Sequence, residues 1–222
     1  MEAWRTDWTR GKRDVALRLA SRECGGSYGE AVIILCAAIS ALAADVWPGR
    51  GKDRARFVEA LREFTPASLN VTRVSIPLLV GHLRQEGRDP ERRQLEQAFL
   101  DYSPSRVLTG DEVDKFEDEI ISLCPGLDRR VLRECSYANL LYQEIRSGYA
   151  HEYRPGSRAD SWPMTSIRNT PVSYLNWVDD PDRHIHFHVD WIADVAVAVA
   201  EAIDAVEKTI PRQDPSRWWV HG

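Results

Sequence analysis

"DRRVLRECSYANLLYQEIRSGYAHEY", Asp128 to Tyr153, is the stretch whose reading decides the fold. From Asp128 as cap, Val131, Cys135, Ala138, Tyr142, Ile145 and Tyr149 recur at steps of four and three. That spacing puts them on one stripe of a helix. It predicts a single amphipathic helix of nearly six turns. Gly148 is expected to loosen its end, because glycine adds backbone freedom. Pro155-Gly156 stops any continuation.

Working outward, the neighbours also read as helices. Ser27-Tyr28-Gly29-Glu30 has the S-x-x-E form of a capping box. It opens the most apolar run, "AVIILCAAISALAADV", which Trp47-Pro48-Gly49 terminates. Residues 10–22 predict a shorter helix. Phe57, Leu61 and Phe64 mark one face of a helix over 53–64. Ser75-Ile76-Pro77 starts another over 76–85, and 88–99 predicts a further one. Thr109-Gly110-Asp111-Glu112 is a second box, opening an acidic helix to about Leu123. "VSYLNWV" and "HIHFHV" alternate as strands do, and Asp179-Asp180-Pro181-Asp182 lies between them as turn residues. Asp190 then caps a last helix with Ile192, Val195, Val199 and Ile203 at helical spacing. The expectation is mainly α: a single domain over 1–222, a helical bundle with a small β-hairpin before the last helix. The hairpin insertion falls at about 171–189. The tail, about 211–222, is expected to pack poorly, with Trp218 and Trp219 able to dock.

Composition narrows the function classes. The 222 residues carry a formal net charge of −5, which argues against a large nucleic-acid surface and leaves room for a small basic cleft. The N-terminus has no apolar signal-like region. The apolar run between Glu30 and Asp45 is shorter than the roughly twenty residues a spanning helix needs. No membrane partner and a cytoplasmic setting with reduced thiols are expected. Cys24, Cys36, Cys124 and Cys135 form no C-x-x-C pair, although a disulfide among them stays open. Glycine-rich phosphate loops and zinc-protease motifs are absent from the sequence, and no cofactor is expected.

Two R-x4-H matches occur, Arg146…His151 and Arg183…His188, and a chain this rich in arginine yields about that number by chance. In the second, His184, His186 and His188 alternate and would share a strand face. They form an alternative metal-ligand set, but a solvated histidine-lined face is the favoured reading, so no metal site is expected. In the first, five residues of ideal helix turn about 500°, which points Arg146 and His151 about 140° apart. The two converge only if the helix bends or ends between them, and Gly148 is the residue placed to allow that. The bland reading is a polar helix end, where a positive side chain is favourable beside the dipole.

The R-x4-H pattern at the end of a core bundle helix, followed by a hairpin and a final amphipathic helix, resembles the HEPN superfamily. The resemblance implies a helical bundle that is commonly a metal-independent endoribonuclease of phage defence or toxin–antitoxin systems. It would use Arg146 and His151 as catalytic residues, with Ser147, Asn139, Tyr142 and Gln143 lining the groove. His151 would move the proton of the RNA 2′-OH or of the leaving oxygen, and Arg146 would hold the phosphate. RNA, a second copy across a two-fold axis, and an antitoxin or other defence partner are the implied partners. Ser147 stands where catalytic members often carry Asn, Asp or His. That departure favours the alternative, a non-catalytic nucleotide- or protein-binding module.

Overall fold

The apolar run forms α2, Tyr28–Val46, the central helix of the molecule. In this computed structural model residues 3–99, 106–162, 170–176, 182–206 and 211–218 are described. Ser27 caps α2 by accepting from the Gly29 amide, and its hydroxyl also bonds Glu30. Around α2 pack α1 (Trp4–Ala20), α3 (Asp53–Phe64) and α11 (Val189–Ala205). Leu35, Ile39 and Leu42 of α2, Phe57 and Leu61 of α3, and Val195 and Val199 of α11 are buried in one core. Burying each such side chain stabilises by roughly 1.5–3 kcal/mol, which is the main force gathering these helices. α2 is long and apolar enough to cross a membrane, yet its inner face is the centre of this core. α1 starts at Trp4, earlier than the sequence pattern suggested, because Thr6 donates to Asp204 of α11 through both its amide (2.9 Å) and its hydroxyl (2.8 Å).

A second apolar cluster joins α4 (Ile76–Gln85) and α5 (Asp89–Phe99) to α7 (Glu117–Leu123) and α8 (Arg129–Glu134). The acidic helix expected from Thr109 to Leu123 is two helices. α6, Gly110–Val113, closes on the Thr109–Glu112 box; the chain then pairs Lys115 with Val74 before α7 begins.

The deciding stretch is also interrupted. α8 ends at Glu134, Cys135 and Ser136 turn out of the helix, and α9 starts at Tyr137 and runs to Leu140. A π-helical segment, Leu141–Ser147, and α10, Gly148–Glu152, complete it. The break has a cause outside the stretch: Cys135 accepts from the Ser75 amide, while the Tyr137 and Ala138 amides donate to Arg73 and Val71. Backbone pairing with the segment before α4 replaces one turn of helix, and the apolar spacing survives it.

The expected hairpin is present as β2 (Val172–Asn176) and β3 (Arg183–Phe187), antiparallel with Tyr174 opposite Ile185. A two-residue strand, β1 (Leu108–Thr109), adds to β2 and makes a three-stranded sheet. The turn between β2 and β3 lies outside the described residues except for Asp182, as do 163–169 of the preceding loop. The tail does not hang free over 211–218. The Arg212 amide donates to Val46, Ser216 bonds Glu59, and Arg133 lies over the Trp218 ring. Trp219 is outside the described residues.

Two tyrosines, one aspartate and a serine lock the two apolar clusters together. Asp114 accepts from the Ile76 amide at the start of α4 (2.9 Å), from the Tyr137 hydroxyl (2.6 Å) and from the Tyr174 hydroxyl, which also reaches Ser75 Oγ (2.9 Å). Burial pushes the Asp114 carboxyl up to about 7 against these hydrogen bonds, which favour the charged form.

Candidate functional site

Gly148 decides where the helix end points its side chains. It has helical φ and ψ of −57° and −54°, so it does not bend the helix as expected. What it permits is close approach. A Cβ there would lie 2.6 Å from the Arg154 carbonyl and 2.9 Å from the Gly156 nitrogen. α10 ends at Tyr153, which takes the left-handed conformation (φ 55°) and reverses the chain. The returning segment is fastened by the Gly156 amide to the Glu144 carbonyl at 2.7 Å.

The backbone stays helical through Gly148, and Arg146 and His151 line different clefts. Arg146 edges a small apolar groove of about 230 Å³ against Val32, Ile33 and Ala37 of α2, its guanidinium 5.3 Å from the centre of the Tyr142 ring. His151 is exposed and opens, with Gln143, Ser147 and Arg154, onto a polar cleft of about 460 Å³ on another side. The convergence expected within one chain is therefore not formed, and the reason is the helical continuity at Gly148. A π-helical segment inside a longer helix is uncommon and occurs often at functional sites; here it carries Gln143, Arg146 and Ser147.

The supporting residues divide the same way. Gln143 and Ser147 join His151. Tyr142 sits under Arg146 and meets the Phe57 ring edge-on at 5.4 Å. Asn139 is buried; it accepts from Arg54 (3.0 Å) and donates to the Glu134 carbonyl (2.8 Å), bridging the helix break rather than lining a cleft.

The alternating histidines do not form a ligand set, and no group of three or more His, Cys, Asp or Glu is placed to hold a metal among the described residues. His186 and His188 turn into the protein. His186 Nδ1 is 3.1 Å from the Asp160 carbonyl, and His188 Nε2 is 3.1 Å from Ser173 Oγ. Burial lowers both, and His188, further disfavoured by His186, falls to about 4, so both rings are neutral near pH 7. His184 opens elsewhere, onto a cleft of about 210 Å³ with His82, Asp182 and Arg158.

A further cleft, about 640 Å³, is walled by Tyr28, Tyr149, Tyr153, Arg22, His186 and His188. Tyr28 donates to the Phe187 carbonyl and stacks near His186 at 4.8 Å. Tyr153 is 61% exposed, and its hydroxyl donates to Glu30. Sequence reasoning passed over Tyr153, Arg154, Ser157 and Arg158. The signal available was "YRPGSR", two cations and an aromatic with no acid between them, which follows His151-Glu152 as the chain turns out of the helix.

All four cysteines are free thiols. Burial pushes Cys36 and Cys135 up to about 12, which keeps them protonated and unreactive. Comparisons with protein-family models, with curated proteins and with solved structures find no match.

Proposed function

We propose that this chain is a HEPN-like module acting on RNA, with His151 facing the phosphodiester and Arg146 supplied to that site by a second copy. The observation that carries the reading is the division just described. His151, Ser147 and Gln143 share one accessible polar cleft, while Arg146 of the same chain is accessible from another. In the proposed reaction His151 takes the 2′-OH proton, the 2′-oxygen attacks phosphorus as the P–O5′ bond breaks, and the imidazolium returns the proton to the leaving 5′-oxygen, giving a 2′,3′-cyclic phosphate and a 5′-hydroxyl. Arg146 stabilises the charge that grows on the phosphate oxygens. A role in phage defence or toxin–antitoxin control rests on the family resemblance alone.

The test is cleavage of RNA in the presence of a chelator. Activity lost in His151→Ala and in Arg146→Ala, but regained when the two inactive chains are mixed, supports a site shared between copies. Cleavage that persists in His151→Ala would sink the proposal. A second reading, binding without cleavage, is favoured by the engagement of Arg146 with Tyr142 in its own chain and by Ser147. RNA bound but left intact by the wild-type protein selects it.

A further inference from the structure

We propose that the segment from Tyr153 to Arg158 is the spine of a single-stranded RNA track that runs through the His151 cleft. This inference rests on the RNA reading and assigns the substrate its path. The observation behind it is that three separate clefts share this one segment as a wall. Tyr153, Arg154 and Pro155 line the one walled by Tyr28 and His186. Arg154, Pro155, Gly156 and Ser157 line the one holding His151. Ser157 and Arg158 line the one holding His82 and His184. Each cleft shares a lining residue with the next, so the three lie in order along the segment with the His151 cleft in the middle, and the proposed furrow follows them.

The chemistry along the furrow suits an unpaired strand. Such a strand is held by a cationic path for its phosphates and by aromatic faces for its bases. Arg154 stands between the first two clefts and Arg158 reaches the third. Arg154 is largely exposed in its pair with Glu152; exposed pairs are weak, so a phosphate can compete for it. Arg158 is fixed by Glu144 (2.8 Å) and Gln143 (3.2 Å). Of the carboxylates that line the three clefts, Glu152 pairs with Arg154, Asp182 pairs with Arg84 and Asp190 is exposed in the first; beside the spine, Glu30 is bonded by Ser27 and Tyr153 and Glu144 pairs with Arg158.

Tyr153 supplies the exposed ring. Its left-handed backbone is unusual for a bulky side chain, and the Glu30 hydrogen bond fixes the ring at the cleft. Arg22, which lines the same cleft, is also left-handed (φ 62°). Of the three described non-glycine residues with positive φ, two therefore line this cleft. Backbone strain of this kind gathers at binding sites.

The test is binding of a short, dye-labelled uridine homopolymer by fluorescence anisotropy over a range of salt, with folding of each variant checked by circular dichroism. Tyr153→Asn removes the ring yet tolerates the left-handed backbone. It is expected to weaken binding roughly tenfold, whereas Tyr153→Phe, which keeps the ring and loses only the Glu30 hydrogen bond, retains most of the affinity. Arg154→Ala is expected to weaken binding and to flatten the slope of log K against log salt by about 0.7. If wild-type protein binds RNA and cleaves it through His151 while Tyr153→Asn and Arg154→Ala bind unchanged, the track is wrong and the RNA reading stands. If the wild-type protein binds no RNA, both fall.

Discussion

Replacing Asp114 with asparagine should make the protein less sensitive to rising pH, and more stable than the wild type in mild alkali. Asp114 is fully buried and titrates at about 7, against an ordinary value of 3.8. Below about pH 4 the carboxyl is protonated in both the folded and the unfolded chain, and its stabilising contribution is complete. Between these values the unfolded chain releases the proton while the folded chain keeps it, so stability falls as pH rises. At about 1.4 kcal/mol per pH unit, the full span amounts to roughly 4 kcal/mol, and the part between pH 5 and 7 to roughly 2.7 kcal/mol. The geometry accommodates the proton. Asp114 can donate to the Tyr174 oxygen, which in turn donates to Ser75 Oγ at 2.9 Å. Asparagine keeps the acceptor for the Ile76 amide and the donor toward Tyr174, but leaves the Tyr137 hydroxyl proton without its acceptor, a loss of about 1 kcal/mol. Urea unfolding followed by circular dichroism at pH 5, 6, 7 and 8 measures both chains. Expected is a variant ahead of the wild type by roughly 0.6 kcal/mol at pH 5, with a lead that grows to about 3 kcal/mol by pH 8. A stability difference that stays constant with pH, or that grows against the variant as pH rises, would refute a buried neutral carboxyl at this position.

Gly148→Ala should destabilise by about 1–3 kcal/mol in thermal melts, because its Cβ meets backbone atoms of Arg154 and Gly156 that cannot move aside as a side chain would. An unchanged melting temperature would mean that the returning segment is not packed as described. Leu35→Ala, at a fully buried position of α2, should cost about 2–5 kcal/mol by denaturant titration. With a thiol reagent at neutral pH, the native protein should react quickly at exposed Cys24 and slowly at the buried Cys36, Cys124 and Cys135; fast reaction of all four would contradict the packing of α2 and α8.

What was legible in the sequence was local. Ser27 and Ser75 cap where their side chains can reach a backbone amide two or three residues on, and Phe57, Leu61 and Phe64 face inward because the helical period places them there. What was hidden depends on distant chain. The break at Cys135–Ser136 is made by amides and carbonyls of residues 71–75, and the apolar stripe passes over it unaltered. Asp114 sits in a run of acids that reads as a solvated face; its burial comes from Tyr137 and Tyr174, more than twenty residues away in either case. The site was half legible. That Arg146 and His151 open onto different clefts follows in kind from helix geometry, and the error lay in expecting Gly148 to undo it.

The hydrogen bond from the Gly156 amide to the Glu144 carbonyl has one more consequence. Residues 153–158 belong to no helix or strand, yet they are tethered to the helix they leave, at Gly156 through the backbone and at Arg158 through Glu144. Part of their conformational entropy is surrendered when the protein folds, so a molecule settling against this segment would meet a wall already held in shape. In deuterium exchange the Gly156 amide should be protected like those of the π-helical segment that holds it.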